Sequence, residues 1–311
     1  MHYTGTIWRP PYEAESLLLE ATAGCTHHQC KFCTLYADLP FPFRMSALEN
    51  IESDLQESQI WSTDPIARLT ARLQGSSGQT RIRRVFLAGA NPFVLSSQRL
   101  MAIAGLIHKY LPSVEAIGSF ARITDITPKS DEELSALRQA GYDGLTIGIE
   151  TGDAEALRFM NKGYTPADIL EQCCRLDQAG IRYSFFYLAG ISGAGAGKAG
   201  ARDTGRLCNQ LHPLRIGVNM LTVYPESELY QEIRQGRWQE SSELEKYQEI
   251  RELVKTLDIP VWFAALGASN PIQLQGNLPD DRDVLLTALD RILADTSEET
   301  LLAYRRSLPH L

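Results

Sequence analysis

Three cysteines fall within nine residues, Cys25, Cys30 and Cys33, spaced C-x4-C-x2-C in a loop that follows an apolar run. Thiolates are soft ligands that suit zinc, copper(I) or iron–sulfur clusters. A structural zinc site takes four protein ligands, usually from two pairs, and here there is one triad, with His27 and His28 as the nearest additions. A 4Fe–4S cluster held by three cysteines keeps one iron open, which makes it a reactive centre. A catalytic zinc with three ligands is the competing metal reading, and three unrelated loop thiols the bland one. Cys173, Cys174 and Cys208 lie in helical stretches and read as small buried hydrophobes.

The elements around the triad alternate. Strand-like runs are expected at Ser16–Glu20, Arg84–Ala88, Val114–Ser119, Gly144–Glu150, Arg182–Ala189 and Ile216–Tyr224. Helical periodicity is expected at Ser46–Ser58 behind a cap at Ser46, at Ser96–Tyr110, Ser130–Gln139, Pro166–Ala179, Ala199–Leu211 and Glu226–Gln235. Near-continuous apolar strands joined by helices indicate an α/β fold with a parallel sheet. A doubly wound sheet and a partial barrel both fit. After residue 236 the alternation stops. Helical stretches at Ser242–Leu257 and Asp280–Asp295 flank a short apolar segment and a loop, Gly267–Pro279. The expected organisation is a core over 1–235 and a C-terminal extension over 236–311 that covers it. Gln74–Thr80 reads as a flexible surface loop.

Composition narrows the class. The chain has 311 residues, with 30 Lys and Arg against 38 Asp and Glu, a net charge of −8. That balance argues against sequence-independent nucleic-acid binding, which needs a phosphate-neutralising surface. Six cysteines are too few for a disulfide scaffold. The N-terminus lacks the basic and apolar regions of a secretory signal, and no apolar run approaches the ~18 residues of a membrane span. A cytoplasmic protein is expected.

The stretch Gly24-Cys25-Thr26-His27-His28-Gln29-Cys30-Lys31-Phe32-Cys33 resembles the cluster loop of the radical S-adenosylmethionine (radical SAM) enzymes. It has one more residue in the first gap than the family's most frequent C-x3-C-x2-C, as in a subgroup with a G-C-[ST]-H-x-x-C-x-F-C pattern. The resemblance implies a partial (β/α)6 TIM-like barrel, a 4Fe–4S cluster on Cys25, Cys30 and Cys33, and SAM as cofactor. It places Phe32 beside the adenine. Ala88-Gly89-Ala90-Asn91-Pro92 resembles the turn that holds the methionine ammonium, without its acid, so that Asn91 or main-chain carbonyls would accept from it. Leu145–Gly152 with Met160-Asn161-Lys162-Gly163 resembles the I-G-x-E-[ST]-G segment and implies a ribose role for Glu150. Arg122 and Arg182 are candidates for the methionine carboxylate, an ordinary salt bridge being the alternative for each. Asn219–Pro225 resembles the adenine-flanking strand and gives Leu221 and Val223 that role, with plain core packing as the other reading. Gly267–Asn270 and Gly276–Asp280 resemble the end of the same subgroup, where a His is expected in place of Gly267. The likeness covers roughly residues 14–235.

The implied chemistry is reductive cleavage of SAM at the open iron, giving a 5′-deoxyadenosyl radical that takes hydrogen from a small-molecule substrate, with an external one-electron donor of flavodoxin or ferredoxin type. A SAM aminocarboxypropyl or alkyl transferase and a non-enzymatic zinc or redox-sensing protein are the alternatives. No catalytic residue and no substrate is readable. Thr34 and Leu35 follow Cys33, so a porphyrin substrate is not supported. No cysteine-rich tail and no N-terminal α/β segment flank the core, so neither an auxiliary cluster nor a cobalamin module is expected. Gly190–Gly200 contains a G-x-G-x-x-G match at Gly195, Gly197 and Gly200. It lacks the acid of a dinucleotide site and the Ser/Thr of a phosphate loop, and reads as a flexible loop able to close over the barrel mouth. Arg81, Arg83 and Arg84 read as solvated charges at the barrel bottom.

Overall fold

The computed structural model describes residues 1–73 and 81–308, the side chains of 67, 68, 71 and 72 excepted. The loop expected at Gln74–Thr80 lies outside the described residues. β1 (Leu17–Glu20) leads into β2 (Thr22–Gly24), which pairs antiparallel with β3 (Phe43–Met45). There follow α1 (Leu48–Thr63), α2 (Pro65–Leu73), β4 (Arg84–Ala88), α3 (Ser97–Tyr110), β5 (Ala116–Ala121), the single turn α4 (Ile123–Ile126), α5 (Asp131–Gln139) and β6 (Tyr142–Glu150). Next come α6 (Ala154–Phe159), α7 (Pro166–Ala179), β7 (Tyr183–Ala189), α8 (Gly197–Cys208), β8 (Arg215–Met220) and α9 (Glu228–Arg234). The chain continues through α10 (Glu243–Thr256), β9 (Val261–Ala265), β10 (Leu274–Leu278), α11 (Arg282–Asp295) and α12 (Glu298–Arg306).

Eight strands join one mostly parallel sheet in the order β1-β4-β5-β6-β7-β8-β9-β10, β10 being antiparallel to β9. A doubly wound sheet reverses its strand order at a switch point. Here the order follows the chain throughout, so the six strand–helix repeats from β1 to β8 have the order of a (β/α)6 barrel. The contacts group the chain into two compact units.

The first unit comprises Met1–His28, Leu35–Thr146 and Gln178–Ile181. Val85–Ala88 of β4 is fully buried, as a parallel strand covered on both faces must be. Ser96 and Ser130 cap α3 and α5, Ser130 with Glu133 in a capping box. The cap expected from Ser46 is absent: α1 begins behind Ala47 without a side-chain cap, and Ser46 Oγ donates to Glu20 Oε1 instead. Arg84 is also not a solvated charge. Its guanidinium pairs with the buried Glu13 at 2.6 Å and reaches the carbonyls of Asp143 and Gly144. Arg83 does pair at the surface, with Glu115.

The second unit comprises Gln29–Thr34, Ile147–Asp177 and Arg182–Leu311. Its sheet runs in register from Phe185↔Ile216 to Ala189↔Met220 between β7 and β8, while β9 follows β8 only to Gly217↔Ala264. α10 packs along α8 and α11, so the segment after 236 shares this unit's core. Cys173 and Cys208 are fully buried, and burial pushes the Cys208 thiol up to about 12; these are packing residues. The Gly-rich loop is not a free lid. Gly190 N and Gly195 N donate to Glu249 and Glu245 of α10, and Ala194 N to the Gln239 carbonyl, each at 2.9 Å. Among the described residues no helix is long and apolar enough to cross a membrane.

Glu249 gives this packing a pH signature. It accepts from Tyr187 and Gly190 in full burial, and desolvation raises its carboxyl from 4.5 to about 7. The folded state therefore binds a proton that the unfolded chain has released, and stability falls as pH rises from about 4.5 to about 7, by up to about 3 kcal/mol. Above pH 7 this contribution is flat. Thermal unfolding should show that loss, and Glu249→Gln should remove the part between pH 6 and 7; a slope retained in that variant would assign it to another group.

Candidate functional site

In the first unit, Cys25 follows β2 directly, and its N–H donates to the Pro42 carbonyl at 2.8 Å, fixing the start of the cysteine loop against β3. Gly89, just past β4, has φ +133°, and a Cβ there would stand 2.2 Å from Thr22 Oγ1. Only glycine fits this turn. Ala90 beside it is half-buried. Asn91 is fully buried, and its amide is already engaged: Nδ2 donates to Thr26 Oγ1 at 2.8 Å and to both Asp125 oxygens at 3.0 and 3.2 Å, while Oδ1 lies 3.4 Å from Thr26 N. Asn91 thus ties the residue after Cys25 to the end of β5, a use different from accepting an ammonium.

Asp125 was not among the expected site residues. It is 1 % exposed, and its Oδ2 accepts from Arg122 N at 2.8 Å in a capping box over α4. Burial raises it from 3.8 to about 6, against the hydrogen bonds from Arg122 and Asn91. The buried Lys129, lowered by burial to about 8, donates to the Phe93 and Asp125 carbonyls. The chain therefore keeps an acid beside its Ala88–Pro92 turn, carried by the next strand's end. The visible signal was an Asp three residues past Arg122, where an N-terminal capping acid belongs. Arg122 is half-buried, with Nη1 donating to Thr124 Oγ1.

In the second unit, Cys33 N donates to the Cys30 carbonyl at 3.0 Å. Lys31 N donates to Met160 O, Leu229 N donates to Lys31 O, and Lys31 Nζ pairs with Glu232 at 2.7 Å. Between these anchors Phe32 turns inward. It packs with Leu188 and Val223 on the buried group Met160, Ile191, Leu221 and Leu229. The three residues expected at the adenine, Phe32, Leu221 and Val223, share this one apolar surface.

Glu150 ends β6 at φ +63°, a left-handed conformation that costs a non-glycine residue of order 1 kcal/mol or more. A Cβ on Gly148 would lie 2.5 Å from Glu150 Oε1, so the glycine makes room for the carboxylate. Lys162, 5 % exposed at its side chain, pairs with Glu150 at 3.1 Å and stands over the Phe32 and Tyr164 rings. Sequence reading passed over this lysine although it lay in the quoted Met160–Gly163 segment. Arg182 requires a correction. It is exposed and precedes Tyr183, the first residue of β7. The strand's seven residues separate it by roughly 23 Å from Gly190 at the other end, too far for the role assigned to it.

Among the described residues all six cysteines are thiols outside any disulfide, and no three His, Cys, Asp or Glu side chains converge to hold a single metal ion. A 4Fe–4S cluster binds each cysteine through a different iron, so three thiols on one short loop fit it by their chemistry.

Asn91 can be tested without a cofactor. Asn91→Ala leaves buried Asp125 short of a donor and should cost about 1–3 kcal/mol in urea unfolding at pH 7.5. Asn91→Asp sets two carboxylates together in burial and should cost more, with the gap between the variants narrowing at pH 5, where one proton can be shared. Equal stabilities for both variants at pH 7.5 would contradict this geometry.

The sequence profile of the Radical SAM superfamily matches residues 19–193, more than half of the chain. The heme chaperone HemW of Bacillus subtilis (strain 168) is 24% identical over 105 residues, 34% of this chain and 28% of the chaperone. Among solved structures, the radical S-adenosylmethionine methyltransferase TsrM from Kitasatospora setae, with cobalamin and a 4Fe–4S cluster bound, aligns at TM-score 0.53 and 16% identity, over 71% of this chain and 39% of TsrM. Methylornithine synthase aligns at TM-score 0.51 and 16% identity, over 93% of this chain and 85% of the synthase. The matches span well under half the length of HemW and of TsrM, and the structural likenesses show a shared fold. With the superfamily profile covering the cysteine loop and most of the strand ends described above, the chain belongs to the radical SAM superfamily of enzymes.

Proposed function

We propose that this chain holds a 4Fe–4S cluster through Cys25, Cys30 and Cys33, cleaves SAM reductively, and takes a hydrogen atom from a small-molecule substrate. The observation that carries this reading is the superfamily match over residues 19–193, which contains the cysteine loop. When bound, the cluster supplies the electron that breaks a C–S bond of SAM and yields the 5′-deoxyadenosyl radical.

The protein's share is binding and orientation. Phe32, Leu221 and Val223 present an apolar surface for the adenine. Glu150 accepts from the ribose hydroxyls, its carboxylate held by Lys162. Gly89 and Ala90 offer main-chain carbonyls to the methionine ammonium, with Asn91 fixing the turn and buried Asp125 behind it. Arg122 remains the candidate for the methionine carboxylate, and Lys162 brings a second cation that replaces Arg182 in that role. Residues 1–235 carry these groups, and 236–311 support the ends of β7 and β8 through Glu249, Lys246 and Arg305. An external one-electron donor of flavodoxin or ferredoxin type completes the cycle.

Anaerobic reconstitution with iron and sulfide, followed by dithionite and SAM, should give 5′-deoxyadenosine and methionine. Methylthioadenosine would point to aminocarboxypropyl transfer, and stable zinc without SAM cleavage to a metal-binding protein. Cys30→Ala should lose the visible thiolate–iron absorption; a full cluster in that variant would overturn this ligand set. Glu150→Gln should keep its iron and bind SAM about tenfold more weakly, about 1.4 kcal/mol, and unchanged affinity would remove Glu150 from the ribose.

A further inference from the structure

The last part of β8 has a strand on one side only. β7 follows it to Met220, but β9 leaves after Gly217. Side chains and backbone from the C-terminal segment occupy the vacated edge. Asn270 Nδ2 donates to Val218 O at 2.8 Å, and Ser269 Oγ accepts from Met220 N at 3.0 Å. Beyond Met220 the chain leaves the ladder, and there the guanidinium of Arg305 takes over. Its Nη2 donates to Leu221 O, to Thr222 Oγ1 at 2.9 Å and to Met220 O at 3.4 Å, and its Nη1 to Ser269 O at 2.8 Å.

Arg305 is 6 % exposed and does not act alone. Lys246, fully buried, also donates to Leu221 O, at 3.3 Å. Both cations face Glu243, Lys246 Nζ at 2.9 Å and Arg305 Nε at 3.4 Å, and Lys246 further pairs with Glu240 at 3.0 Å. Two cations and two carboxylates balance. α12 is held in place at its other end, where Glu298 accepts from Glu243 N and Leu244 N in the first turn of α10, at 2.8 and 2.9 Å. One short helix therefore caps α10 at its start and grips the end of β8 near its finish.

We propose that Arg305 is a positioning residue for the adenine of SAM: it fixes the path of Met220–Thr222 and so holds Leu221 and Val223 against Phe32. The inference rests on the proposed SAM reading. Arginine suits the task because its rigid planar fork holds several acceptors in a fixed arrangement, whereas a lysine ammonium is a point charge on a flexible stem.

The test uses the full-length protein with its cluster reconstituted, and measures iron content, equilibrium binding of SAM, of 5′-deoxyadenosine and of methionine, and hydrogen exchange across 218–224. Arg305→Ala should retain wild-type iron, weaken SAM and 5′-deoxyadenosine about tenfold, leave methionine affinity unchanged and speed exchange in that segment. Arg305→Lys keeps the charge without the fork; it should fold like the wild type and still lose part of the adenosine affinity. If Arg305→Ala fails to fold, that lysine variant decides. Wild-type affinity for SAM in a folded, iron-loaded variant overturns the proposal, as does an equal loss of methionine and 5′-deoxyadenosine. A wild-type protein that holds iron but binds no SAM overturns the functional reading itself, and this inference with it.

Discussion

Where a parallel strand ends, its backbone leaves the ladder with polar groups that the sheet no longer satisfies, and in a buried edge each of them needs a partner. This chain meets that demand at four successive strand ends with a buried side chain, a local one after β5 and one from a distant segment after β6, β7 and β8. After β5, Asp125 accepts from Arg122 N. After β6, Thr204 accepts from Gly152 N at 2.7 Å. After β7, Glu249 accepts from Gly190 N, and after β8, Arg305 donates to the Leu221 carbonyl. All four are at most 6 % exposed. In a fold of this order, function belongs at the carboxyl ends of the strands. The groups that finish the strands therefore also set where the candidate binding residues stand.

The cost of this arrangement is burial of charge. Removing one partner of a buried ionic group is strongly destabilising, whereas the intact group adds little net stability. Asp125 and Glu249 respond by rising to about 6 and about 7, so the folded chain holds them partly neutral near physiological pH. Lys246 and Arg305 instead share Glu243 between them. These networks fix one geometry at the strand ends rather than deepen the fold's stability.

The strand–helix alternation was legible because parallel strands covered on both faces are continuous apolar runs, as Arg84–Ala88 and Tyr183–Ala189 are; the helical stretches expected from Ser96, Ser130 and Ser242 do begin behind those serines, which cap α3, α5 and α10. Strands of other character were not. β2 and β3 are three residues each, and β10, Leu-Gln-Gly-Asn-Leu, is an edge strand whose alternating exposure looks like a polar loop. Choosing barrel over doubly wound order needed strand neighbours, which periodicity does not carry. Among the candidate site residues, the cysteine loop, Glu150 and the residues beside Phe32 are the ones that local motifs nominate. Asp125, Lys162 and Arg305 are not, because their use lies in partners 34, 12 and 84 residues away. Arg182 differs: both the expected strand and the observed one, Tyr183–Ala189, put it at the amino end of β7, opposite the carboxyl ends where the fold places function.

Gly267 shows how far such long-range coupling reaches. The sequence resemblance leads to the expectation of a histidine at this place. Here a Cβ at 267 would lie 1.8 Å from Asn219 Oδ1, so no side chain at 267 coexists with Asn219 in its present position. Asn219 sits on β8 among residues that alternate with the buried Val218 and Met220, level with Leu188 of β7, and Asn270 leaves its own Oδ1 buried without a partner close by. The glycine at 267 therefore leaves room for the Asn219 carboxamide on β8. A histidine would titrate near neutrality, while a carboxamide does not. The polar group here on β8 is thus a carboxamide, neutral at every physiological pH, and it offers hydrogen bonding without charge.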